Sequence, residues 1–225
     1  MKTVGIIGGL GPETTAKFYM EIVFACSKIA RQRPKILISN VALPLEIEKE
    51  IILEAKGTSK VLPFLLDSAR QLEKGGADFI VIPCNTVHVF IDEIRASVDI
   101  PVLSIIEEAV VFLQEQNIKK VGFLATKTTI KNGIFTSKFK GEDLEIEIPN
   151  VSDQDLVVKI IHNLVVNKST AKDKNEFQKV VKRLNEKNIL LACTDLQLLH
   201  SKVENVRIFD TLDILLKATV RKILS

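Results

Sequence analysis

The sequence has no tryptophan, one tyrosine and only three cysteines in 225 residues. An odd number of widely spaced cysteines favours reduced thiols over a disulfide framework. No C-x-x-C occurs and the three histidines do not pair at helical spacing, so no metal site is expected. No apolar run approaches the ~20 residues that a membrane helix needs, and no membrane partner is expected. Charge of neither sign dominates. The net charge is +3, and basic residues are interleaved with acidic ones, as between Lys168 and Lys187, which leaves no footprint for nucleic acid. The start, Met1-Lys2-Thr3, runs directly into the strand-like stretch Val4 to Gly9, without the longer apolar region and cleavage site of a secretory leader. A cytoplasmic location is the expectation.

What the chain does contain is 46% apolar and 26% charged residues, enough to build one large domain or two modest lobes. Short β-branched runs recur at Val4 to Ile7, Ile36 to Val41, Phe79 to Ile82, Pro101 to Ile105, Val121 to Ala125, Leu144 to Ile148, Ile189 to Ala192 and Val206 to Phe209. Amphipathic helical spacing lies between most of them, at Phe18 to Ile29, Val61 to Leu72, Glu107 to Leu113, Leu156 to Val166 and Phe177 to Leu184. Strand followed by helix, repeated, predicts parallel sheets covered by helices. The pattern nearly restarts around Pro101. The expected fold class is therefore α/β, with two similar lobes, each a mainly parallel four-stranded sheet flanked by helices. The lobes are residues 1–102 and 103–210, and a final helix, 211–225, returns to pack on the first.

Two of the cysteines occupy matching places. Cys84 lies in A-D-F-I-V-I-P-C-N-T-V-H (Ala77 to His88) and Cys193 in N-I-L-L-A-C-T-D-L-Q-L-L (Asn188 to Leu199). Each ends an apolar run and precedes helix-like sequence. In open α/β sheets, ligands bind beyond the carboxyl ends of the strands. At a helix start, unpaired N–H groups and the helix dipole draw a thiol towards thiolate. Asn85 and Thr86 after the first cysteine, and Thr194 and Asp195 after the second, are capping residues that also offer donors to a carboxylate. His88 lies one helical turn from Cys84. A single cysteine at a strand end is most simply a small buried hydrophobe. Two at equivalent positions, both with polar caps, point to paired acid–base chemistry. Cys26, mid-helix among Val23, Phe24 and Ile29, reads as core packing.

The N-terminal turn G-I-I-G-G-L-G-P-E-T-T (Gly5 to Thr15) does not meet the dinucleotide spacing, since Thr14 stands at the third glycine position and Pro12 intervenes; the P-loop lysine is also absent. The turn either lines a small-molecule site or lets the next helix approach the sheet.

The segments G-I-I-G-G-L-G-P, P-C-N-T-V-H and A-C-T-D-L, with A-D-F-I-V-I before the first cysteine and V-G-F-L-A-T at Val121 to Thr126, resemble the aspartate/glutamate racemase family, in particular its aspartate racemase branch. The resemblance runs nearly end to end. The second motif usually reads G-C-T-E, so Ala192 and Asp195 are conservative departures. It implies an amino-acid racemase with no pyridoxal phosphate or other cofactor, a site in the cleft between two pseudo-symmetric lobes, and a homodimer. It further implies that Cys84 and Cys193 move a proton on and off opposite faces of Cα, and that Asn85, Thr86 and Thr194 hold the substrate α-carboxylate and amino group. Thr126 and the backbone N–H groups at the two helix starts are candidate stabilisers of carbanion-like charge. Gly11 is the candidate contact from the glycine-rich turn.

The substrate side chain is less defined. The family's arginine is expected near Pro44-Leu45-Glu46, and Glu46 stands in its place. A second expected basic residue is replaced by Val165, with Lys168 three positions on. Glu46 either faces the substrate, favouring a cationic or polar side chain, or belongs to a solvated helix start. Two other readings stay open: another two-cysteine enzyme, such as a hydantoin racemase or a maleate isomerase in which one cysteine attacks carbon, and a catalytically silent binder of a small acid.

Overall fold

The computed structural model describes residues 1–140, 144–199 and 203–225. Two parallel sheets carry the fold. The first has strand order β2-β1-β3, built from β1 (Val4–Gly8), β2 (Ile36–Asn40) and β3 (Phe79–Val81). The second has order β5-β4-β6-β7, built from β4 (Lys120–Leu124), β5 (Glu145–Glu147), β6 (Asn188–Leu191) and β7 (Arg207–Asp210). Every pairing is parallel. The two orders correspond, so β3 and β6 hold equivalent places beside the central strands β1 and β4. All of β1 is buried, whereas the edge strands β2 and β5 are partly exposed, as expected for sheets covered on both faces.

The four-strand expectation needs one correction. The run Pro101 to Ile105 contributes only a single parallel bridge, Ile80 to Val102, instead of a fourth strand in the first sheet. The Ser104 side chain already accepts the Glu107 N–H as a helix cap, so the chain turns into a helix two residues after the bridge. A proline at the other end has no N–H to extend the ladder.

The helices are α1 (Pro12–Ala30), α2 (Leu45–Lys49), α3 (Leu62–Lys74), α4 (Ile91–Ala96), α5 (Ile105–Glu115), α6 (Lys127–Lys131), α7 (Ile134–Lys140), α8 (Val151–Val165), α9 (Ala171–Arg183) and α10 (Thr211–Leu224). The sequence periodicity did not single out α2, α4, α6 or α7, which are too short to show a period. A π-helical turn, Glu50–Glu54, continues α2. No helix among the described residues is long and apolar enough to cross a membrane.

One core joins the two sheets. Phe18, Ile22 and Cys26 of α1 pack with Phe79 and Val81 of β3, Phe123 of β4, and Leu212 and Leu215 of α10. Cys26 is fully buried there, and burial raises its thiol pKa. The last helix therefore packs against both α1 and α5, and Lys2 N–H donates to the Ile223 carbonyl at 2.9 Å. This shared core fixes the carboxyl ends of β3 and β6 relative to each other, which is what the site requires.

Candidate active site

Both thiols emerge just past equivalent strand ends. Cys84 follows β3 and leads into a 3-10 turn, Thr86–Phe90; Cys193 follows β6 and leads into a 3-10 turn, Thr194–Leu199. They line one cleft of about 60 Å³ together with Gly11, Asn85, Thr86, Thr126, Thr194, Glu48 and Asp195. A single water needs about 10–15 Å³ on the same measure, so the cleft has room for one small molecule. Apolar walls come from Leu43, Ile51, Ile52, Ile161 and Val165. An adjoining cleft of about 310 Å³ shares Gly11, Val165 and Asp195 and adds Glu13.

Hydrogen bonds fix the polar groups across the two lobes. Thr194 Oγ1 donates to the Pro83 carbonyl at 3.0 Å, and Thr14 Oγ1 donates to Asp195 Oδ1 at 2.6 Å. Thr86, Thr126 and Thr129 form a hydroxyl triangle with sides of 3.0–3.2 Å. Thr211 gives its proton to the Leu191 carbonyl and so accepts from Asn85 Nδ2 at 2.9 Å. That fixes the Asn85 amide, and its Oδ1, buried in a residue only 2% exposed, has no partner. Buried acceptors are rarely left unpaired.

The thiols are not poised as thiolates. Burial and then the nearby Asp195 carboxylate push Cys84 up to about 12, against smaller opposing help from the Val87 and Thr86 N–H groups. Cys193 is also pushed well up, by burial, then Asp195, with a smaller push from Cys84. The sequence expectation of thiolate-favouring helix starts is corrected here: single 3-10 turns present few free N–H groups, and desolvation outweighs them. Asp195 is itself raised to about 6 by burial, despite the bonds from Thr14 and from the Cys193 thiol at 3.9 Å.

His88 does not face the cleft. Its Nδ1 lies 2.7 Å from the Cys84 carbonyl and its Nε2 accepts the Ile105 N–H at 3.1 Å, so Nδ1 carries the proton. The ring ties the cysteine loop to the start of α5, and burial lowers its pKa to about 4. A depressed histidine contributes stability that is present above the ordinary value of 6.5 and is lost as pH falls through about 4. Asp195 and Asp210, raised by burial to about 6 and about 7, act in the opposite sense, so the comparison must isolate His88. The stability advantage of the wild type over His88→Gln in urea unfolding is expected to shrink by on the order of 2–3 kcal/mol between pH 7.5 and 4.5. A pH-independent difference would remove the buried neutral ring from the account.

Of the residues expected at the site, Cys84, Cys193, Gly11, Asn85, Thr86, Thr126 and Thr194 meet in the cleft, and Val165 lines it. Glu46 does not: it is exposed in the first turn of α2, and Lys168 is exposed beyond α8. The α2 carboxylate that lines the cleft, beside Asp195, is Glu48. Residues two apart on a helix face opposite ways; Glu48 shares its face with Ile51 and Ile52, three and four positions on and both buried. Helical phase within Leu45 to Glu54 held that information. Among the described residues no group of three or more His, Cys, Asp or Glu side chains is arranged to hold a metal ion.

Two matched parallel sheets flanked by helices are the two-lobe α/β architecture of the Asp/Glu racemases, enzymes of the isomerase class. The Asp/Glu/hydantoin racemase family pattern matches residues 7–219, and the chain belongs to that family. It is 28% identical to the broad specificity amino-acid racemase RacX of Bacillus subtilis over 96% of each chain. Among solved structures it is similar to the aspartate racemase of Picrophilus torridus (TM-score 0.83, 27% identity, 99% of this chain and 94% of that one). An aspartate racemase homologue of Pyrococcus horikoshii superposes with a TM-score of 0.78 at 25% identity, covering 100% of both chains.

Proposed function

We propose that this protein inverts the α-carbon of a free amino acid, without a pyridoxal cofactor, by proton transfer between Cys84 and Cys193. The observation that carries this reading is the meeting of two thiols from equivalent strand ends in one small buried cleft. One sulfur, as thiolate, takes the Cα proton, and the C–H electron pair passes to Cα and its carboxylate. The opposite S–H then delivers its proton to the other face. The two cysteines finish with exchanged protonation, and the reverse reaction swaps their roles.

Because both thiols are raised, one must first lose a proton to solvent as substrate enters. The substrate ammonium supplies the drive. A unit positive charge about 4 Å away at an effective dielectric near 20 is worth about 4 kcal/mol, which is a factor of about 10³ in thiol acidity. It also offsets Asp195, the carboxylate that opposes both thiolates. We assign Asp195 and the unpaired Asn85 Oδ1 to the ammonium, and the Thr86 and Thr126 hydroxyls with the N–H groups of the two 3-10 turns, the second held in place by the Thr194 hydroxyl on the Pro83 carbonyl, to the α-carboxylate. These donors also stabilise the charge that builds there during proton abstraction.

The test is proton NMR in deuterium oxide with pooled L- and D-amino acids and no added cofactor. Loss of an α-proton signal with appearance of the opposite enantiomer is expected, at a rate that rises above neutral pH. Silence across the whole pool would overturn the amino-acid reading, and a covalent substrate–cysteine adduct would replace it with nucleophilic chemistry.

A further inference from the structure

We infer that the cleft selects amino acids whose side chain carries a positive charge, with Glu48 as the residue that recognises it. This rests on the amino-acid reading of the same cleft. The walls supply the first observation. Glu48 and Asp195 line the cleft, Glu13 joins Asp195 in the adjoining one, and among the described residues no lysine, arginine or histidine lines either. The two positions where a cation is expected do not provide one: Glu46 is an exposed carboxylate and Val165 is apolar, while Lys168, three positions on, lies outside both clefts.

The second observation is the mutual effect of the carboxylates. Burial raises the pKa of Glu48, and Asp195 raises it further; Glu48 in turn opposes ionisation of Cys84. The cleft therefore concentrates negative charge between apolar walls, where an unpaired charge is costly. A dicarboxylic amino acid adds another negative group with no counterion among the described lining residues. A neutral aliphatic one neutralises Asp195 through its ammonium and leaves Glu48 unpaired. A diamino acid brings two cations, one for each carboxylate, and its methylenes match Leu43, Ile51 and Ile52. Pairing Glu48 also removes one of the charges that hold Cys84 protonated, so side-chain recognition and thiol ionisation reinforce each other.

Lysine and norleucine have the same carbon skeleton and differ by the terminal ammonium, so their ratio isolates the proposed contact. In the deuterium-exchange assay, wild type is expected to prefer lysine to norleucine by about tenfold or more in kcat/KM, the scale of one charged hydrogen bond. In Glu48→Gln that ratio should fall towards unity, and Glu48→Lys should invert the preference between lysine and aspartate. Calorimetric binding of lysine to Cys193→Ser, with and without Glu48→Gln, provides a readout that needs no turnover. Exchange with aspartate in preference to lysine, or an unchanged lysine-to-norleucine ratio in Glu48→Gln, would overturn the recognition while leaving the racemase reading intact. Glu48-dependent lysine binding with no exchange of any amino acid would do the reverse. Neither exchange nor lysine binding would overturn both.

Discussion

Cys84→Ala and Cys193→Ala are each expected to lose racemisation by about 10²–10⁴-fold or more, the usual contribution of a positioned acid or base. Neither sulfur can deputise for the other, because each serves one face of the substrate. The residual chemistry is the sharper readout. With Cys84 removed, Cys193 can still take a proton from the enantiomer whose Cα–H it faces and return a deuteron to the same face. With Cys193 removed, only the other enantiomer can exchange. Slow exchange in opposite enantiomers for the two variants, with no inversion in either, is the expected pattern in deuterium oxide. Full racemisation in either variant would end the two-thiol mechanism. Melting temperatures control for folding, since Cys193 is buried and Cys84 is half-buried.

Gly11→Ala is the second large effect expected. Gly11 sits at the start of α1 with φ +100°, and an added Cβ would lie 2.5 Å from Asp195 Oδ1 and 3.3 Å from its Cγ and Oδ2. That oxygen is the one held by Thr14, and the other lies 3.9 Å from the Cys193 sulfur. Either the carboxylate or the turn must move, and misplacement by about 1 Å costs about 10²-fold in rate. Gly76→Ala is the matched control: its φ is +84°, but nothing lies within 4 Å of the added carbon. Both variants carry the left-handed backbone penalty of about 1–2 kcal/mol, while only Gly11→Ala should lose turnover. Equal kcat/KM in the two variants would mean that the position of Asp195 does not matter to catalysis.

The glycine-rich turn illustrates how far the sequence could be read. Its failed dinucleotide spacing and its Gly-Pro start pointed to a tight strand-to-helix turn, which is what Gly11 and Pro12 form. Its contact with Asp195, 184 positions along the chain, was invisible because nothing local encodes which turn meets which across a cleft. The acidic pair in α2 shows the same limit at shorter range. Glu46 and Glu48 are alike in composition and both lie near a family landmark; the burial of Ile51 and Ile52 decides which one turns inward. The fourth strand at Pro101 to Ile105 was overcalled because β-branched residues alone do not report that a helix cap follows at once.

The sequence by itself determined the alternation of strand and helix, the matching places of Cys84 and Cys193, and the short polar caps after each thiol, because these depend on local period and on residue type. Tertiary structure alone set the direction in which the pKa values of the site shift. Burial against both sheets lifted the thiols instead of lowering them, and packing of α2 over the cleft put Glu48 beside Asp195 where a cation was expected. Desolvation and charge–charge energy depend on distances between segments far apart in the chain, so only the folded arrangement sets them.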